Sequence, residues 1–333
     1  MAISKHKGIN ITAIVNVLPK QVVDNLHLTL IPNNADRKKL IEHTGIRYRR
    51  VTEKPVKSLF ESGIKQLLDL LKLQTSDVDV LICVTQTPDV GIPSIACKIH
   101  GDLNFGTQTL CYDINAGCSG YVYGLQTVAS ILATIDKVNP KAILCCGDVS
   151  SQLLFANDTS TQPIFSDAVS VTAITFDKND KENYSYFNLE TFGAGQQAIY
   201  TETSENNEKK MRLNGIDVFA YSVKHVPQNI TTLLDAANLN SEEPSCYILH
   251  QANKLINDAI CKKTSVPLQK APQTLGKYGN TASASIPITL CENLDLITAK
   301  NNSVLLCGFG VGFSVASALI NIPINLPHKL IEV

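Results

Sequence analysis

The stretch CYDINAGCSGYVYGL, Cys111 to Leu125, constrains this chain more than any other. It opens as an apolar and aromatic run ending at Ile114 and then passes through Ala116, Gly117, Ser119 and Gly120. It continues with Tyr121, Leu125, Val128 and Leu132 at helical spacing. A strand that turns sharply into a helix puts Cys118 at the turn, where unpaired backbone N–H groups and the helix dipole favour an anion. A thiol held there is expected to lose its proton more readily and to act as a nucleophile. The competing reading is a buried structural cysteine, which most of the ten cysteines should be.

Short apolar runs recur along the chain, and they read as buried strands: Ile9 to Val17, Val78 to Thr85, Ala142 to Cys146, Val169 to Phe176 and Ser245 to Leu249. Helical periods separate them at Asp36 to Glu42, Val56 to Leu73, Ser94 to Leu103, Ile216 to Leu239, Asn253 to Lys263 and Thr281 to Leu296. The alternation predicts an α/β fold with mostly parallel central strands covered on both faces by helices. The polar break DKNDKE, Asp177 to Glu182, divides the chain into 1–177 and 178–333, two halves of similar element order, as an internal duplication would leave. The segment Thr201 to Met211, containing ETSENNEKK, reads as a solvent-exposed loop.

Several function classes are excluded. A formal net charge of −1 provides no field to recruit nucleic acid or an anionic membrane. No C-x-x-C pair occurs, so a structural zinc site and a metal cofactor are not expected. Cysteines inside apolar runs fit free thiols in a reducing cytoplasm. The N-terminus lacks an apolar stretch long enough for a signal peptide. Val304 to Leu326 is uncharged and long enough to span a bilayer, but Gly308, Gly310 and Gly312 interrupt it, and Pro323 and Pro327 close it. Two buried strands joined by a glycine turn explain it better, so no membrane span is expected.

Two further sites complement Cys118. In LHQAN, His250 stands where a buried strand gives way to a helix, the end at which α/β sheets place their ligands. In GKYGNTAS, Asn280 opens another helix and would by itself pass as an N-cap. Taken together, CSG, HQAN and GNT in this order resemble the thiolase-fold condensing enzymes, and within them the β-ketoacyl-acyl-carrier-protein synthase III family. EHTGIRYRR (Glu42 to Arg50), TQTPD (Thr85 to Asp89), Pro93-Ser94, FSD (Phe165 to Asp167), NGIDVF (Asn214 to Phe219) and GFGVGFS (Gly308 to Ser314) extend the resemblance over almost the whole chain. An asparagine as third member of the triad is similar to the synthase III and chalcone-synthase type.

The resemblance implies a thiolase-like αβαβα fold, with the nucleophile in the first half and the histidine and asparagine in the second. It implies acyl transfer from a coenzyme A or carrier-protein thioester to Cys118, then decarboxylative condensation with a malonyl-type thioester. His250 and Asn280 would donate to the extender's carbonyl, and the backbone N–H groups of Cys118 and Val311 would form the oxyanion hole. Coenzyme A or phosphopantetheine arrives as substrate, so no further cofactor is implied. A homodimer is implied too, with Ile92 where a partner's phenylalanine often closes the acyl pocket, and Phe219 and Lys254 among the substrate contacts. Departures are also visible: Lys39 and His43 replace the tryptophan and arginine that commonly hold adenine, and Leu255 replaces an arginine that commonly meets the carrier protein. They leave room for an acyltransferase that passes the acyl group to an alcohol, amine or sugar; a non-catalytic heterodimer subunit is a third reading, disfavoured because such subunits usually lose the cysteine and all three triad positions are present here.

Overall fold

The computed structural model describes residues 2–180, 183–203 and 208–333. Two sheets carry the fold. The first has six strands in the order His328–Glu332, Ile9–Leu18, Ala168–Phe176, Lys141–Asp148, Val80–Val84 and Leu110–Ile114. The second has five, in the order Ala2–Lys7, Tyr184–Thr191, Ser314–Asn321, Ser303–Gly310 and Cys246–Leu249. The helices Gly120–Leu132 and Ser285–Cys291 lie between the sheets. Val56–Leu71 and Ile95–Asp102 cover the outside of the first, while Gly215–Ala237 and Lys254–Thr264 lie on the side of the second. Helices and sheets therefore alternate in five layers, as the thiolase-fold resemblance implies.

The layering explains the apolar runs. Val80–Val84 is buried along its whole length because helices press on both faces of its sheet. Gly120–Leu132 touches both sheets, so Tyr121, Val122, Leu125, Val128, Ala129 and Leu132 are all buried. They pack with Val84 and Leu144 of one sheet and Ile248 and Leu306 of the other. Each such aliphatic side chain contributes roughly 1.5–3 kcal/mol on leaving water. Val304 to Leu326 resolves into the antiparallel pair Ser303–Gly310 and Ser314–Asn321. Among the described residues no helix is long and apolar enough to cross a membrane.

Four details differ from the sequence reading. The sheets are mixed rather than mostly parallel: Ala168–Phe176 runs antiparallel to both neighbours, and so does Ser314–Asn321. A strand buried on both faces looks equally apolar in either direction. The sheets also exchange their terminal strands, because Ala2–Lys7 pairs with Tyr184–Thr191 and His328–Glu332 pairs with Ile9–Leu18. The helical period at Thr281 to Leu296 is broken into a tight turn at Ala282–Ala284, the helix Ser285–Cys291 and a second turn at Leu294–Leu296. Finally, the polar segment after Ile199 is a hairpin, Ile199–Thr203 against Lys209–Leu213, pinned by the buried side chains of Ile199 and Met211. The centre of ETSENNEKK and the end of DKNDKE lie outside the described residues.

Candidate active site

Parallel pairing brings the chemistry to one edge of the fold. Val80–Val84 is parallel to both Leu110–Ile114 and Lys141–Asp148, so all three strands end on the same side. Cys118 lies four residues beyond Ile114. In the second sheet Cys246–Leu249 is parallel to Ser303–Gly310, which places His250 and Gly310 together at the strand ends. Cys118, His250, Asn280, Phe309 and Gly310 line one cavity of roughly 80 Å³, with Val218 and Ile199 on its apolar side.

The turn at Cys118 is packed against a glycine strand. A Cβ built on Gly310 would lie 3.2 Å from Cys118 Sγ, and one on Gly308 would lie 2.7 Å from the Cys118 carbonyl oxygen. Bare backbone at both positions lets the strand reach the nucleophile turn. Across the same contact, the Ser119 and Ser314 hydroxyls meet at 2.7 Å. Burial, reinforced by the nearby Asp148 carboxylate, pushes the Cys118 thiol up to about 12. This reverses the expectation drawn from the helix N-terminus. Only 4% of Cys118 is exposed, and the loss of hydration is the largest cause of the rise. The resting sulfur is therefore a thiol, and it must lose its proton as it attacks.

His250 is fully enclosed. Its backbone N–H donates to Cys307 O (2.7 Å), and Nδ1 sits 2.7 Å from Ser285 Oγ. That hydroxyl also donates to Ala282 O at 2.8 Å and accepts from Gln251 N–H at 3.3 Å. The hydroxyl carries one proton: turned to Ala282 O it accepts from Nδ1–H, and turned to Nδ1 it leaves the ring an Nε2–H that can donate into the cavity. Burial lowers the imidazole to about 3, so His250 is neutral throughout the physiological range. Since folding depresses this pKa from 6.5, the unfolded chain binds the extra proton first. The associated stability is complete above pH 6.5 and is lost as pH falls towards 3. His250→Gln is therefore expected to flatten the fall in unfolding free energy between pH 6.5 and 4, by about 3 kcal/mol, in urea titrations across that range.

Asn280 is held by its backbone, which donates to Ile164 O (3.0 Å) and accepts from Ser166 N–H (2.9 Å). Its Oδ1 accepts from Ala282 N–H at 3.0 Å, so the side chain does cap the following turn. The amide Nδ2 makes only a long contact of 3.5 Å to Ala252 O, and it remains available as a donor towards the cavity. Val311 lies on the other side of the thiol and lines a second, smaller cavity with Cys118. Neither the Cys118 nor the Val311 backbone N–H donates to another backbone carbonyl among the described residues.

The three remaining sequence candidates do not line the main cavity. Ile92 projects from its loop with 91% of its surface exposed. Phe219 is partly exposed, and its neighbours Gly215 and Val218 face the cavity instead. Lys254 is paired with Asp258 at 2.7 Å across one helical turn, and that bond raises its pKa. Sequence reasoning missed Ser285, which holds His250, and Asp148, which ends a strand beside Cys118. Neither carries a local signal: Asp148 follows AILCCG like any strand-ending acid, and Ser285 sits within a run of small residues.

Residues 112–195 match the family profile described as 3-Oxoacyl-[acyl-carrier-protein (ACP)] synthase III, and residues 234–322 match that of its C-terminal region. The chain is similar to the β-ketoacyl-[acyl-carrier-protein] synthase III of Lactobacillus helveticus, with 31% identity over 95% of this chain and 99% of the relative. It is equally similar to that of Enterococcus faecalis, at 31% identity over 92% and 96%. In fold it is similar to the crystal structure of a 3-oxoacyl-(acyl-carrier protein) synthase from Burkholderia xenovorans, with a TM-score of 0.92, 26% identity and 99% of each chain covered. With this similarity over nearly the full length, the chain that brings Cys118, His250 and Asn280 to one cavity belongs to the 3-oxoacyl-[acyl-carrier-protein] synthase III family.

Proposed function

We propose that the protein is a condensing enzyme in which Cys118 takes an acyl group from a coenzyme A or carrier-protein thioester and joins it to a malonyl-type extender with loss of carbon dioxide. The observation that carries this reading is the convergence of Cys118, His250 and Asn280 on one cavity in which the histidine is neutral. Cys118 sulfur attacks the thioester carbon, and its proton passes through the imidazole to the departing thiol. Backbone N–H groups of Cys118 and Val311 stabilise the tetrahedral oxyanion. The extender then loses carbon dioxide, and its charge moves onto the thioester oxygen as an enolate. A neutral imidazole and the Asn280 amide donate to that oxygen, and the enolate carbon displaces the Cys118 sulfur, which recovers a proton. Thioesters serve as substrates, and this chemistry requires no other cofactor. The ten free cysteines suit a reducing cytoplasm.

Intact-mass spectrometry with a panel of acyl-coenzyme A donors tests the first step. One acyl mass should appear, located on the Cys118 peptide; acylation at Cys111 or Cys146 would contradict the assignment.

We also read the protein as a two-fold dimer. Leu110–Ile114 is the edge strand of the first sheet and leaves Leu110 and Tyr112 partly exposed, an edge that a second copy would cover. Ile92 projects as a residue reaching into a partner would. Sedimentation should give twice the 36.2 kDa chain mass. Ile92→Phe should shorten the acyl chains accepted. A fully active monomer would rule the dimer out.

A further inference from the structure

Asp148 is a buried carboxylate that, beyond its effect on the Cys118 thiol, enters no step of the chemistry above. It ends the strand Lys141–Asp148, beside the end of the parallel strand Val80–Val84. Its Oδ1 accepts from Gln86 N–H at 2.6 Å, Thr85 Oγ1 at 3.0 Å and Thr87 Oγ1 at 3.3 Å. Val149 N–H donates to Thr87 Oγ1 at 2.9 Å, which closes the clamp from the next residue. A buried carboxylate costs several kcal/mol unless it is well bonded, and three donors from one short segment offset that cost. Its Oδ2 has no hydrogen-bond partner among the described residues.

The clamped segment faces the nucleophile. Gln86 Oε1 lies 2.5 Å from where a Cβ on Gly117 would be, and Gln86 Nε2 donates to Asn115 Oδ1 at 3.2 Å. Gln86 and Thr87 line the small cavity, of roughly 20 Å³, that contains Cys118 and Asp148. With Leu153, Ile199, Met211 and Val311 they also line a chamber of roughly 510 Å³ next to it. The two spaces share six wall residues and run in series away from the sulfur.

We propose that Asp148 is a positioning residue of the acyl passage: it ties Thr85–Thr87 to the strand end and so holds Gln86 and Thr87 as the polar wall past which an acyl chain leaves Cys118. The inference rests on Cys118 carrying the acyl group. The cavity of His250, Asn280 and Val218, where the proposed reaction would seat the extender, is lined by none of Thr85, Gln86, Thr87 and Asp148.

The test measures acyl-enzyme formation with straight-chain acyl-coenzyme A donors from two to ten carbons, and separately KM for malonyl thioester in turnover. Asp148→Ala should lower acylation by the preferred donor about 10- to 100-fold, the scale of losing hydrogen bonds to a charged group. It should also flatten the preference among chain lengths, with KM for malonyl thioester unchanged within about twofold. Asp148→Asn keeps an Oδ1 acceptor for the same three donors and should restore the wild-type length profile. Should Asp148→Ala not fold, Thr87→Val removes one bond of the clamp and should shift the profile in the same direction, less far. An unchanged length profile in Asp148→Ala or, where that variant does not fold, in Thr87→Val overturns the proposal. An Asn variant as impaired as the Ala variant overturns it too, as does an equal change in malonyl KM. A wild-type protein that accepts no acyl group from any donor removes the condensing-enzyme reading itself, and the proposal falls with it.

Discussion

Cys118→Ser is expected to fold like the parent and to lose acyl-enzyme formation by at least about 10⁴-fold, the scale on which removing a nucleophile acts. The substitution changes one buried atom to a smaller one in a site where even a Cβ on Gly310 would lie only 3.2 Å from the sulfur, so unfolding free energy should move by no more than about 1 kcal/mol. The chemical loss is large because nothing nearby is a strong base. His250 is depressed to about 3 and can assist a thiol, but it is too weak to activate an alcohol. No other cysteine can substitute. Cys118 is the one cysteine that lines the cavity with His250 and Asn280, and neither Cys111 nor Cys146 reaches it. Intact mass after incubation with an acyl donor, beside a thermal unfolding curve, separates loss of chemistry from loss of fold. A Ser variant that acylates at the parent's rate would remove Cys118 from the mechanism.

Asn280→Ala should divide the reaction. Acylation of Cys118 should stay within about threefold of wild type, while condensation falls about 10²- to 10³-fold, the usual loss for one oxyanion donor. The local fold should survive, because Ile164 O and Ser166 N–H hold the backbone of residue 280 and not its side chain. The lost cap to Ala282 N–H costs about 1 kcal/mol. His250→Ala should lower both half-reactions, since the ring relays a proton in one and donates in the other. An acyltransferase would invert the pattern: the histidine would serve as base for the acceptor, and Asn280 would matter little. Single-turnover acylation and steady-state product formation, measured separately in each variant, distinguish the two.

Legibility in the sequence followed the range of the interactions. Cys118, His250 and Asn280 each stand at a turn between an apolar run and a small-residue or helical segment, so their placement could be read locally. The glycines of GFGVG could be recognised as a turn, but not that Gly308 and Gly310 press on the Cys118 turn from the other sheet. That contact joins residues almost two hundred positions apart. The exchange of Ala2–Lys7 and His328–Glu332 between the sheets is non-local in the same way, since a short edge strand carries no signal of its partner. The hairpin after Ile199 was obscured because its exposed positions are charged and only Ile199 and Met211 face inward. The direction of the thiol's pKa is not legible locally, because a helix N-terminus is visible in a sequence whereas burial of the sulfur is a property of the assembled sheets.

The central claim is that the acyl group on Cys118 is consumed by a carbon nucleophile formed by decarboxylation. The direct measurement loads the wild-type enzyme with an acyl group, removes excess donor, and adds carboxyl-labelled malonyl thioester while released carbon dioxide and product are both counted. One labelled carbon dioxide for each β-ketoacyl product, with the acyl mass leaving Cys118 in step, is the predicted result. Departure of the acyl group without release of carbon dioxide would contradict it.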